Sequence, residues 1–122
     1  MNASEREALV AEYYQRIDRG DVDWVLSLFA PEAVYDRAET SYRGLAQITE
    51  FYQHQRGITG VHEIDTVATH DLTTIAQGVF DGRGRDGSAR KVGFADSWRF
   101  TLGGLVLHRK TFLAIGSQYV RE

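Results

Sequence analysis

The stretch from Lys91 to Phe100 constrains the fold more than any other, because it alternates. Even positions carry Val92, Phe94, Asp96, Trp98 and Phe100, whereas odd positions carry Lys91, Gly93, Ala95, Ser97 and Arg99. Side chains point to opposite faces along a strand, so this segment predicts a strand with one oily face. Any fold that accepts it must bury that face of a sheet. Asp96 lies on the same face as the four large apolar groups. A lone ionised carboxylate there is costly, so it must gather hydrogen-bond donors or stay protonated, and a protonated carboxyl is itself a donor. A place near the strand end, or a bond from a neighbouring Tyr or Trp, would satisfy it without any chemistry.

The rest of the chain divides into a helical first half and a strand-rich second half. Ser4 and Glu7 form a capping-box pattern, after which Leu9, Val10, Tyr13, Tyr14 and Ile17 recur at helical spacing up to Gly20, a C-cap. Asp21 caps a shorter second helix carrying Val22, Val25, Leu26 and Phe29, closed by Pro31. Ala33 to Asp36 reads as a short strand, and Leu45, Ile48, Phe51 and Tyr52 space as a third helix ending near Arg56-Gly57. From Val61 onward the pattern predicts strands over 62–70, 73–81, 89–101 and 105–115, with Gly-bearing turns at 82–87 and 102–104. Helices followed by hairpins predict an α+β fold, an antiparallel sheet with the helices packed on one side; a sheet curved and wrapped around the N-terminal helices would be cone-shaped, its interior either core or pocket.

With 122 residues, 43% hydrophobic and 25% charged, the chain is expected to form one domain over 1–122. A net charge of -3 and a pI near 5.8 argue against a nucleic-acid footprint. No apolar run reaches membrane-spanning length, and Met1 to Arg6 lacks the apolar stretch of a signal peptide, so no membrane partner and a cytoplasmic location are expected. The absence of cysteine excludes disulfides and thiolate catalysis. Gly82 to Gly87 satisfies G-x-G-x-x-G, but a strand rather than a helix follows, so it reads as a hairpin turn. His54, His62, His70 and His108 show no paired metal spacing, so no metal site is expected. His62 and His70 share strand parity with Ile64 and Ala68, so one of them could line the pocket as an extra acid or base.

Gly20-Asp21-Val22-Asp23 and Leu28-Phe29-Ala30-Pro31-Glu32-Ala33-Val34, in this order of helices and strands, resemble the nuclear transport factor 2-like superfamily over nearly the whole chain. Within it, the sequence is similar to the ketosteroid isomerase and SnoaL-like polyketide cyclase group. In that group an oxyanion-binding Tyr on the first helix precedes a Gly-Asp pair by seven residues, the spacing of Tyr13 to Gly20-Asp21. The group's base is an Asp just after the first strand, matched by Asp36, and its second oxyanion donor is an Asp matched by Asp96 before Trp98-Arg99-Phe100. Tyr52 in Glu-Phe-Tyr resembles a Tyr that hydrogen-bonds the oxyanion Tyr. The sequence departs from the group where Arg37 replaces a Pro after the base, and where Phe29 replaces a Tyr of the hydrogen-bond network.

The resemblance implies proton abstraction next to a carbonyl, with Asp36 as base and Tyr13 and neutral Asp96 as donors to the enolate oxygen. Tyr52, Phe29, Phe94 and Trp98 would line or support the pocket. The implied ligand is a small hydrophobic carbonyl or polyketide-like compound; isomerisation and ring closure share this chemistry and stay open. No cofactor is implied, and a homodimer is. A limonene-type epoxide hydrolase would need an Arg beside the strand Asp, where Phe94 stands. A ligand-binding or dimerisation module without catalysis is the remaining alternative.

Overall fold

The computed structural model describes residues 1–114. Helix α1 spans Ala3–Asp18, α2 Val22–Leu26 and α3 Leu45–Glu50, the last continuing into a wider π-helical turn over Phe51–Gln55. The strands are β1 Phe29–Arg37, β2 Thr40–Arg43, β3 Thr59–His70, β4 Thr73–Arg83, β5 Ala89–Phe100 and β6 Val106–Leu113. They form one six-stranded sheet in the order β2-β1-β6-β5-β4-β3. The expected α+β architecture is present, with a curved, unclosed sheet and the helices on its inner side. One pair departs from the antiparallel expectation: β6 runs parallel to β1, which makes the sheet mixed. Among the described residues no helix is long and apolar enough to cross a membrane.

The α1 start lies earlier than the Ser4–Glu7 pattern suggests. The Asn2 side chain accepts from the Glu5 N–H at 2.8 Å and the Glu5 carboxylate accepts from the Asn2 N–H at 2.9 Å, a complete capping box two residues upstream. Its end is where Gly20 places it. Gly20 adopts φ +79°, its N–H donates to Ile17 O and that of Asp21 to Arg16 O, closing the helix with a Schellman motif.

Two other expectations are corrected. Phe29 does not belong to α2, which stops at Leu26; it opens β1, and Pro31 sits inside that strand, where pairing with β6 is interrupted between Phe29 and Val34. The hairpin partner β2 was not anticipated. The strand expected over 105–115 is observed as Val106–Leu113, and position 115 lies outside the described residues.

Inward faces of the strands meet Val10, Tyr13, Tyr14 and Ile17 of α1, and all four are buried. On β5 the inward set is Phe94, Asp96, Trp98 and Phe100, as the alternation requires. β3 bends at a bulge: Ile64 pairs with Gly78 but Thr66 with Gln77, leaving Asp65 extra. Gly78 is needed opposite it, since a Cβ there would lie 1.9 Å from the Glu63 carbonyl oxygen.

Candidate active site

Because α1 ends cleanly at Gly20, Asp18 is held one turn beyond Tyr14, facing β3. Its Oδ2 accepts the backbone N–H of His62 at 2.8 Å, and its Oδ1 lies 2.6 Å from His62 Nδ1. The two side chains are only 14% and 10% exposed. A carboxylate at Nδ1 fixes the neutral tautomer with its proton there, which leaves the Nε2 lone pair as the basic site. Nε2 makes no hydrogen bond among the described residues. Burial pushes the His62 pKa below its ordinary 6.5; Asp18 works against this, and the positive charges of Arg109 and Arg56 add to it. Ring contacts to Phe80 and Phe94, at 4.8 and 5.3 Å between centroids, hold the imidazole plane.

Asp96 finds donors on its oily face. Its Oδ2 accepts from Tyr14 at 2.5 Å and from Arg109 at 2.9 Å, while its Oδ1 accepts from the Thr111 hydroxyl. Of the two outcomes open to a buried carboxylate, the geometry is that of an acceptor paired with a cation. Trp98 Nε1 donates to Tyr14 at 3.1 Å, which orients that phenol toward Asp96. Burial, followed by the Asp96 charge, pushes the Tyr14 pKa well above its ordinary value.

Arg109 was not singled out by sequence. It comes from β6, 5% exposed at the side chain, with its Cζ 4.7, 4.6 and 4.5 Å from the ring centres of Tyr13, Tyr35 and Trp98. Burial opposes its charge, but Asp96 and the surrounding phenols outweigh this, so it stays protonated. One terminal nitrogen donates to both Tyr13 at 2.6 Å and Tyr52 at 2.7 Å. Those two hydroxyls are themselves 2.7 Å apart. One of them must donate to the other, so the pair retains one proton that no protein group accepts. Burial also pushes Tyr52 well above its ordinary pKa and Tyr35 up to about 12.

These groups border one cavity of about 220 Å³ between α1, the Arg56–Ile58 segment and the sheet. Tyr13, His62, Phe94, Asp96, Arg109 and Thr111 line it, with Ile58, Phe80, Val92 and Leu113 as further apolar wall. Tyr52 is outside the lining but bonded to Tyr13; Trp98 lies behind Tyr14; Phe29 packs against Tyr52 and Trp98 at 6.1 and 6.4 Å between centroids. Thus Tyr13, Asp96, Tyr52, Phe94, Trp98 and Phe29 lie together at or behind the cavity wall.

Asp36 is not. It follows the inward Tyr35 on β1 and therefore faces the outer side of the sheet, where its Oδ2 lies 2.7 Å from His108 Nε2. Ser41 first and His108 second hold its carboxyl below the usual range. Arg37, expected beside Asp36, instead points inward over the Phe51 ring at 5.4 Å and lines the cavity. Of His62 and His70, one of which could line the pocket, it is His62 that does, and the two do not share a face. The bulge at Asp65 reverses the alternation, leaving His70 94% exposed while His62 faces the cavity. Among the described residues no group of three His, Cys, Asp or Glu side chains is placed to hold a metal ion.

The model of the SnoaL-like domain family matches residues 10–108. The chain belongs to this family. Solved structures share the SnoaL-like fold at low sequence identity. SalBIII, an epoxide hydrolase/cyclase-like enzyme with a role in pyran ring formation in the polyether salinomycin, has a TM-score of 0.79 at 17% identity, with 92% of each chain covered. A nuclear transport factor 2-like protein of unknown function from Burkholderia pseudomallei gives 0.79 at 18% identity over 88% of each chain. A protein assigned as a SnoaL-like polyketide cyclase from Shewanella putrefaciens gives 0.76 at 13% identity over 89% of each chain. Among curated proteins, none matches significantly.

Proposed function

We propose that this SnoaL-like domain is an acid–base enzyme acting on a small hydrophobic carbonyl compound through an enolate. The observation that carries the reading is the placement of His62 and Tyr13 on one cavity wall system, each backed by its own buried partner. His62 Nε2 takes the proton from the carbon next to the carbonyl, and Asp18 stabilises the imidazolium that forms. Tyr13 gives its unclaimed proton as a hydrogen bond to the carbonyl oxygen; Tyr52 and the Arg109 charge strengthen that donor as negative charge develops. Asp96 acts here as the counter-ion that keeps Arg109 in place, not as a donor.

Ring closure is favoured as a variant by one further observation. Arg109 on β6 supplies the Arg partner of Asp96 that Phe94 does not supply, and the likeness to the epoxide hydrolase/cyclase-like SalBIII points the same way. In this variant the substrate is a hydroxy-epoxide: His62 Nε2 takes the hydroxyl proton, the hydroxyl oxygen bonds to an epoxide carbon as the carbon–oxygen bond there breaks, and the released oxygen takes its proton from Tyr13.

Deuterium exchange at the α-carbon of a bicyclic ketone such as 2-tetralone, followed by NMR at neutral pH, tests the first reading. Wild type should accelerate exchange over buffer, His62→Gln should slow it about 10²–10⁴-fold, and Tyr13→Phe about 10²–10³-fold. Binding of the ketone without acceleration would move the protein to the non-catalytic, ligand-binding alternative.

A further inference from the structure

The cavity holds more positive charge than its walls neutralise. Four arginines line it: Arg37, Arg56, Arg90 and Arg109. Two have carboxylate partners, Arg109 with Asp96 at 2.9 Å and Arg90 with Asp86 at 3.6 Å. Arg56 donates only to the Ile58 carbonyl at 3.3 Å. Arg37 makes no hydrogen bond or ion pair among the described residues and rests on the Phe51 ring, half-buried. Asp18, the other acid nearby, is engaged by His62 and is not part of the lining. Two guanidinium groups therefore border the cavity with no carboxylate partner among the described residues. A planar fork of donors is suited to a bidentate oxyanion.

Resting on the reading of this cavity as a ligand site, we infer that its ligand carries a carboxylate, bound by Arg37 and Arg56, on a compact apolar body held against Phe80, Val92 and Phe94. The volume of about 220 Å³ lies below the roughly 300–1,000 Å³ of drug-sized sites, which limits that body to a small one. Arg37 and Arg56 would act as specificity residues: they choose the ligand and its orientation, whereas His62 and Tyr13 act on it. Arg56 also raises the field at His62, so a bound carboxylate offsets part of the positive charge that keeps the imidazole a weak base.

Matched probes separate this inference from the reading beneath it. Calorimetric titration at neutral pH and low salt would compare 2-naphthoate with 2-naphthol. Naphthoate should bind at least about tenfold more tightly, and Arg37→Met and Arg56→Met should each weaken it by about tenfold, the scale of one charged hydrogen bond. Naphthol affinity should be unchanged in both variants, which shows an intact cavity. Added salt should weaken naphthoate alone. Should Arg37→Met fail to fold, Arg56→Met and the salt series give the same reading. If naphthol binds as tightly as naphthoate in wild type, or naphthoate is indifferent to salt and to the substitutions, the carboxylate assignment is wrong while the ligand site stands. If neither probe binds, both fall.

Discussion

Replacing Asp96 by Asn should destabilise the protein severely although it removes no side-chain volume. The carboxylate is 1% exposed and its cation Arg109 is 5% exposed, so neither has water as a substitute partner. Asn keeps one oxygen to accept from Tyr14 and Arg109, and its amide can turn to the Thr111 hydroxyl, so what the substitution removes is the negative charge opposite the Arg109 guanidinium. Leaving a buried charge unpaired costs about 3–5 kcal/mol, a large part of the roughly 5–15 kcal/mol that holds a domain folded. Urea denaturation would measure it. A double-mutant cycle sharpens the test: Asp96→Leu and Arg109→Met should each cost several kcal/mol, whereas the double substitution should cost much less than their sum. The hydroxyls of Tyr14 and Thr111 lose an acceptor in the double variant, which leaves a residual cost of about 1–3 kcal/mol. An Asp96→Asn loss below about 1 kcal/mol, or single losses that add within about 0.5 kcal/mol, would refute the argument that each charge is buried at the other's expense.

Stability should also fall as pH drops below 6.5, the unfolded value for His62. Its folded pKa is lower, so the unfolded chain binds the extra proton first; His62→Gln should flatten the thermal midpoint across that window. The deuterium-exchange rate should lose its acid limb in the same variant. Asp36→Asn should leave exchange unchanged, because Asp36 faces away from the cavity; its depressed pKa predicts instead a smaller loss of stability in the variant as pH falls below 3.8. Gly78→Ala should destabilise by about 1–3 kcal/mol or more in urea, since the added methyl meets the Glu63 backbone and no flexible side chain can yield.

Where alternation runs unbroken, sequence and structure agree in detail. β5 has no interruption up to Arg99, so the inward place of Phe94, Asp96 and Trp98 was legible from the pattern alone. The Tyr13–Tyr52 bond was legible only through family resemblance, since helical spacing does not say what a hydroxyl touches. The failures fall at breaks in phase. A register shift at Leu107 breaks the alternation of β6, so Arg109 is turned inward along with Val106. The signal that could have found it was Asp96 itself, which as a buried anion calls for a cation on an adjacent strand. Asp36 faces away from the cavity because Tyr35, its neighbour on β1, takes the inner face. Asp18 carried a usable signal as well: it sits four residues after Tyr14, at the close of the same helical face.

The place of β6 has a consequence for how the chain comes together during synthesis. It is the last strand among the described residues to leave the ribosome, yet it occupies the middle of the sheet, between β1 and β5. Before it arrives, β1–β2 and the β3-β4-β5 meander have no ladder joining them, and the Asp96 side chain has no guanidinium to meet. Pairing with β5 is a local hairpin, but the parallel pairing with β1 closes a long loop and is intrinsically slow. The one step that zips the sheet shut also delivers Arg109, so the half-made protein cannot assemble its chemistry ahead of its fold.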